Sequence, residues 1–385
     1  MRWIKNLVIN LAIFSLVLII TSNIIVNNLT QKNFPSIHNK IIYSRVHALI
    51  APDLRNSTNI NHNILFVGDS FTQGSGDSFL KGDYNYSVAH RAASDTINVV
   101  NTGFGGVGSL YSVVNAIEMK NVSKSSVFLE DFPKISKVIF FFYEGNDLND
   151  NIGSLKTYNG FDNVINRLNQ AEDMPFHREV YHGYFYGLNF IRYNKKIFKV
   201  YIKEFIGEEN YNFLKSLFGR NIDNIHKKID KPNLVKYKNN NFLVRELQGP
   251  AMELTDEQLN LSISIFKKSL EHLKSNFPNS ELEVVYIPSV ATIVGKYIDN
   301  KIKTQSYQSG GNLFVYDEIR NKSSFIKEKI KNTSLMLDIG FTDTTQFLIQ
   351  DMDKSFLYGP IDMKHLNRDG YDSLYKSLSL NKIYE

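Results

Sequence analysis

The stretch Ile64-Leu65-Phe66-Val67-Gly68-Asp69-Ser70-Phe71-Thr72-Gln73-Gly74 decides how this chain folds. A short apolar run that ends in Gly and a small polar residue predicts a buried strand of an open α/β sheet. In such sheets, reactive groups sit outside the carboxyl ends of the strands. Gly68 permits a tight turn, and Ser70 then opens the next helix with its hydroxyl free, although Asp and Ser before a helix are also ordinary N-caps. Capping a helix or tying neighbouring loops is the expected role of Asp69, because its charge opposes an incoming oxyanion.

A serine hydroxyl is a weak nucleophile unless a base takes its proton and donors receive the oxyanion. Near the C-terminus stands Asp362-Met363-Lys364-His365-Leu366-Asn367. Asp and His three apart can set the carboxylate on the imidazole Nδ1 and leave Nε2 facing a nucleophile, although the spacing alone also fits a solvated loop. The apolar strand Lys137 to Tyr143 ends in Glu144-Gly145-Asn146-Asp147. The Asn146 amide can donate to an oxyanion without titrating, while Gly-Asn-Asp is equally good turn chemistry. A further strand, Ile97 to Asn101, runs into Thr102-Gly103-Phe104-Gly105-Gly106-Val107-Gly108. Its glycines let a backbone N–H approach a substrate closely. No Gly-Lys-Ser/Thr follows and the spacing is not the dinucleotide fingerprint, which argues against a phosphate cradle.

These four blocks, in this order, resemble those of the SGNH hydrolases, also called GDSL esterases and lipases. Ser70 matches that family's nucleophile and Gly106 its oxyanion glycine, with Gly103, Gly105 and Gly108 crowded beside it. Asn146 matches the oxyanion asparagine, and Asp362 with His365 the Asp-x-x-His pair. Leu366-Asn367, Gly370-Tyr371 and Pro288 match lesser details, and the resemblance covers residues 62–150 and 253–380. It implies a three-layer α/β/α sandwich with a five-stranded parallel sheet, flavodoxin-like in order, and no metal or cofactor. It also implies a catalytic triad of Ser70, Asp362 and His365, and an oxyanion hole of the Ser70 and Gly106 N–H groups with the Asn146 amide. The block is not the Gly-x-Ser-x-Gly elbow of the α/β-hydrolases, because here acid and base share one loop.

At the other end, Asn6 to Val26 carries no charge and follows Arg2 and Lys5. Roughly twenty such residues span a bilayer, which predicts a transmembrane signal anchor. The rival is a cleavable signal peptide and hence a secreted enzyme, but the apolar run is long and no Ala-x-Ala-like site follows Val26. Basic residues before the segment place the N-terminus in the cytoplasm and the rest of the chain outside it, in a periplasm or at a cell surface.

The 385 residues are 43% hydrophobic and can bury a full core once residues 1–40 are set aside as anchor and stalk. Residues 41–385 are expected to form the SGNH-like domain, with a large helical insertion at 151–250. The absence of cysteine excludes a disulfide framework, and His177, His182 and His226 lack metal-ligand spacing. A net charge of +5 spread along the chain argues against nucleic acid as a partner. Strands are expected at Ile64 to Val67, Ile97 to Asn101, Lys137 to Tyr143, Leu282 to Ile287 and Leu335 to Asp338. The clearest helix starts at Thr255 with a Gln258 capping box and a Leu254/Leu259 staple.

The insertion leaves the sheet just after Asn146 and is rich in aromatic and basic residues, as in Tyr181-His182-Gly183-Tyr184-Phe185-Tyr186. Such residues stack on sugar rings, lie on membrane surfaces, or form an ordinary lid whose rings pack inward. Three functions stay open. The first is an esterase acting on acetyl esters of cell-envelope carbohydrate or on another small ester. The second is an O-acetyltransferase that uses the same triad to acylate a polysaccharide, fed by a membrane acyl-donor partner. The third, a non-catalytic glycan-binding or assembly protein, is opposed by the intact set Ser70, Asn146, Asp362 and His365.

Overall fold

The computed structural model describes residues 49–50, 61–77, 86–94, 96–125, 132–172, 232–299, 301–305 and 312–378. All of them belong to one compact unit, residues 45–174 and 232–385. The expected anchor, Asn6 to Val26, lies outside the described residues. Among the described residues no helix is long and apolar enough to cross a membrane.

The core strand β4 (Lys137–Tyr143) is buried along its whole length, as an apolar run covered on both faces of a parallel sheet must be. Beside it runs β2 (His62–Gly68), paired in parallel from Ile64 with Lys137 to Gly68 with Phe141. β3 (Ile97–Asn101) lies outside β2, and β7 (Glu281–Ile287) and β10 (Gly340–Asp343) extend the sheet on the far side of β4. A short antiparallel strand, β1 (Leu49–Ile50), closes the β3 edge. The five parallel strands thus follow the order 2-1-3-4-5 by chain position. In that order the ligand crevice opens where the chain switches sides, between β2 and β4.

Alternate residues of each strand face opposite layers. Phe66, Ile139, Phe141 and Val285 pack with α2 (Val88–Ala92), α7 (Val290–Val294), α9 (Thr345–Lys354) and α10 (Arg368–Ser377). Phe140 and Phe142 point the other way, edge-on to Phe266 at 5.8 and 5.2 Å between ring centroids. Phe266 belongs to α6 (Asp256–Asn276), which packs with α3 (Ser109–Ser125), α4 (Asp147–Tyr158) and α5 (Phe161–Glu172). α6 begins with the Thr255/Gln258 capping box expected from its sequence.

Two expectations about the chain's layout need restating. The strand expected at Leu335 to Asp338 is instead the last turn of α8 (Tyr316–Met336) and the turn after it. The apolar run there misleads, because Leu335 and Met336 are 54% and 69% exposed. The buried face of α8 is the helical series Ile319, Ser323, Ile326 and Ile330, and Asp338, at φ +53, turns the chain into β10. Of the expected insertion 151–250, residues 151–172 complete α4 and α5, which bury Ile152, Val164 and Leu168 and so build the helical layer. Residues 233–244 form a hairpin, β5 (Asn233–Tyr237) and β6 (Asn240–Val244), whose Val235, Tyr237 and Val244 join the core. The intervening residues 173–231, including the aromatic-basic stretch, lie outside the described residues.

Phe266 couples α6 to two rings of the central strand while fully buried. Phe266→Ala is expected to cost about 3–5 kcal/mol through lost burial and the cavity left behind. Urea unfolding followed by circular dichroism checks this as a lowered midpoint at unchanged slope.

Candidate active site

Gly68 ends β2 where no side chain fits: a Cβ there would stand 2.8 Å from the Phe141 carbonyl oxygen. The chain turns at once into α1 (Ser70–Gln73), capped by Asp69, whose Oδ1 accepts the Phe71 N–H at 2.9 Å. Asp69 therefore takes the capping role its position predicts. Ser70 is the first helical residue, so its N–H has no carbonyl within the helix to receive it.

The loop before α10 brings in the second half of the site. Asp362 Oδ2 lies 2.6 Å from His365 Nδ1, and His365 Nε2 lies 2.9 Å from Ser70 Oγ. A carboxylate only accepts, so Nδ1 carries a proton and Nε2 is the ring nitrogen that faces the serine hydroxyl. The hydroxyl also lies 3.3 Å from Asp69 Oδ2, a longer and weaker alternative. Burial alone would raise the Asp362 carboxyl, but the hydrogen bond and charge of His365 outweigh it and hold Asp362 below its ordinary value. Phe71 packs against the imidazole with ring centroids 5.3 Å apart.

The glycine loop after β3 runs beside the nucleophile. A Cβ on Gly105 would lie 3.5 Å from Ser70 Cβ. Gly106 adopts φ +76 and faces open space, with no heavy atom within 4 Å of its Cβ position. That left-handed conformation disfavours any residue with a side chain.

Asn146 ends the β4 turn at the N-cap of α4, yet its side chain does not cap that helix. Its Nδ2 donates to Asp150 Oδ2 at 2.9 Å, and it helps to lower the Asp69 carboxyl. The structure thus brings Ser70, His365 and Asp362 into one hydrogen-bonded chain, with Asp69 beside Ser70 under the influence of Asn146. Among the described residues no group of His, Cys, Asp and Glu side chains is placed to hold a metal ion.

Two acidic residues belong to this neighbourhood that the motifs did not mark. Asp77, buried at 4% exposure, accepts the backbone N–H of Ile361 at 3.0 Å and of Asp362 at 2.6 Å. It ties the segment after Ser70 to the loop that carries Asp362 and His365. Asp150 lies one helical turn from Asn146, a spacing at which helix side chains meet. That spacing was the only signal either residue offered in the sequence. Burial raises three carboxyls here: Asp69 to about 6, Asp150 to about 7, and Asp147 well above its ordinary value. The charge of Asp69 adds to the rise at Asp150 and Asp147, while the Asn146 hydrogen bond opposes it at Asp150.

No protein-family model and no curated protein matches the chain. Among solved structures it is similar to an extracellular lipase from Streptomyces rimosus, at 11% identity and TM-score 0.39, over 84% of this chain and 100% of that one. It is also similar to an aryl esterase from M. smegmatis, at 8% identity and TM-score 0.35, over 84% and 98% of the two chains. A third is a catalytic mutant of an acetylxylan esterase from Geobacillus stearothermophilus, at 12% identity and TM-score 0.34, over 85% and 96%.

Asp77→Ala takes away the acceptor of the part-buried Ile361 and Asp362 N–H groups and is expected to cost about 0.5–1.5 kcal/mol for each bond lost. Chemical denaturation of the variant measures it. The raised carboxyls carry a pH signature of their own. The folded state holds a proton on Asp150 that the unfolded chain has released, so this contribution to stability is full below the unfolded pKa of 3.8 and is lost as pH rises through about 7. Asp150→Asn removes that loss. Its melting temperature relative to the parent protein is therefore expected to increase from about pH 5 to about pH 8, in thermal scans at matched ionic strength.

Proposed function

We propose that this chain is a serine esterase of the SGNH type, working through a covalent acyl-enzyme. The hydrogen-bonded chain from Asp362 through His365 to Ser70, at 2.6 and 2.9 Å, carries this reading. In the proposed reaction Ser70 Oγ attacks the ester carbonyl carbon while its proton passes to His365 Nε2, and Asp362 stabilises the imidazolium. The tetrahedral oxyanion receives the N–H groups of Ser70 and Gly106 and the Asn146 amide. Collapse breaks the bond to the alcohol oxygen, which takes the proton from His365 as it leaves. Water then enters, gives a proton to His365, and attacks the acyl carbon; the acid is released and the proton returns to Ser70 Oγ.

Close approach of a small ester is supported by Gly105, which brings backbone without a side chain up to Ser70. The charge-free run Asn6 to Val26 behind Arg2 and Lys5 supports an anchored enzyme facing out of the cytoplasm. There, acetyl esters of envelope carbohydrate are the substrates proposed. Residues 175–231 are the proposed element of carbohydrate recognition, on the strength of their aromatic and basic side chains.

The test is turnover of p-nitrophenyl acetate by the full-length chain, with Ser70→Ala expected to lower kcat by at least about 10³-fold. Equal rates for parent and variant would exclude the mechanism for small acyl groups. With an oligosaccharide present, mass spectrometry should find released acetate and no newly acetylated sugar; acetylated sugar would make the enzyme a transferase.

A further inference from the structure

Asn146 occupies an N-cap position but does not cap. An asparagine there ordinarily turns its oxygen onto the N–H groups of the first helical turn. Here the amide is held from its nitrogen end: Nδ2 donates to Asp150 Oδ2 at 2.9 Å, while Oδ1 is buried and accepts nothing. Asn146 also helps to lower the carboxyl of Asp69, whose Oδ2 lies 3.3 Å from Ser70 Oγ.

The two ends of a side-chain amide have nearly the same shape, so packing alone does not decide which one faces the nucleophile. Charge does. Above about pH 7, where the Asp150 carboxyl is ionised, it accepts and never donates, so an amide flipped by half a turn would point its oxygen at Asp150, lone pair against lone pair. An oxyanion site, in turn, is useful only if it presents hydrogen. Asp150 is part-buried, and burial raises its carboxyl to about 7, so its charge is costly to keep. Among the described residues its one side-chain hydrogen bond is the one to Asn146.

We propose that Asp150 is a positioning residue that fixes the orientation of the Asn146 amide, so that its nitrogen and not its oxygen is turned toward Ser70. The inference rests on the reading of Ser70 as nucleophile and Asn146 as oxyanion donor. Asp150 touches neither substrate nor the reacting atoms; it acts through Asn146 alone. Two properties follow that a merely structural aspartate would not have. Its loss should fall on kcat rather than KM, and it should cost nothing once Asn146 is gone.

The experiment is a double-mutant cycle on the full-length chain with p-nitrophenyl acetate at about pH 8, where Asp150 is ionised. Asp150→Leu is expected to lower kcat by about 10- to 100-fold with KM within about twofold, which is part of the loss expected for a missing oxyanion donor. Asp150→Asn, whose carbonyl still accepts, should keep kcat within about threefold of the parent protein. In an Asn146→Ala background, which itself should lose about 10²-fold, Asp150→Leu should change kcat by less than about twofold. Asp150→Ala, which suits a helix interior, gives the same comparison if the leucine variant does not fold. An undiminished loss on top of Asn146→Ala, or an unchanged kcat for both non-accepting variants, overturns the inference while Ser70→Ala inactivity keeps the esterase reading standing. Turnover by Ser70→Ala overturns that reading and the inference with it.

Discussion

The parallel register of β2 against β4, Ile64 with Lys137 through Gly68 with Phe141, is the constraint on which the site depends. It sets the end of β2 level with Phe141, near the end of β4 at Tyr143, so the turn carrying Ser70 and the turn carrying Asn146 emerge from the same edge where the chain switches direction across the sheet. A slip of one residue would turn Phe66, Ile139 and Phe141 from one helical layer to the other. Burial of both faces therefore fixes the site's geometry as firmly as it fixes the core. Gly68 belongs to the same constraint, because its backbone passes too close to β4 for any side chain.

The remaining half of the site has to be brought from far along the chain, and it is held by backbone hydrogen bonds. Asp77 accepts the N–H groups of Ile361 and Asp362, 284 and 285 residues away. Tyr371 at the start of α10 donates its hydroxyl to the Ser75 carbonyl at 2.7 Å. These contacts pin the loop on either side of Asp362 and His365, which leaves the imidazole little freedom to leave Ser70. Rigid support of this kind keeps Asp362, His365 and Ser70 within hydrogen-bonding distance. The cost lies in the carboxylates crowded under the site: burial raises Asp69, Asp147 and Asp150, and the charge of Asp69 adds to the rise at the other two.

Much of this architecture was legible in the sequence, for a physical reason. Strands buried on both faces, such as Lys137–Tyr143, are continuous apolar runs, and the chemistry sits immediately after them, so strand and site announce each other. The same cue failed at Leu335 to Asp338, where apolar residues close an exposed helix end and the true edge strand, Gly340–Asp343, is half-buried and mixed in character. The helices α4 and α5 looked like part of an insertion because their polar sequences conceal a narrow buried stripe of Leu148, Ile152, Val164 and Leu168. Asp77 could not have been found, because what it accepts is backbone, and backbone leaves no mark on sequence. Asp150 stood at a readable spacing from Asn146, but only the fold shows that the space between them is buried.

In the proposed mechanism His365 makes Ser70 nucleophilic. Peptide mass spectrometry after treatment with a fluorophosphonate is the test, since such a reagent is attacked by an activated serine and remains bound. A single adduct is expected on the peptide carrying Ser70, and it should disappear in His365→Ala. An unmodified Ser70 in protein that still hydrolyses esters, or labelling that persists without His365, would contradict it.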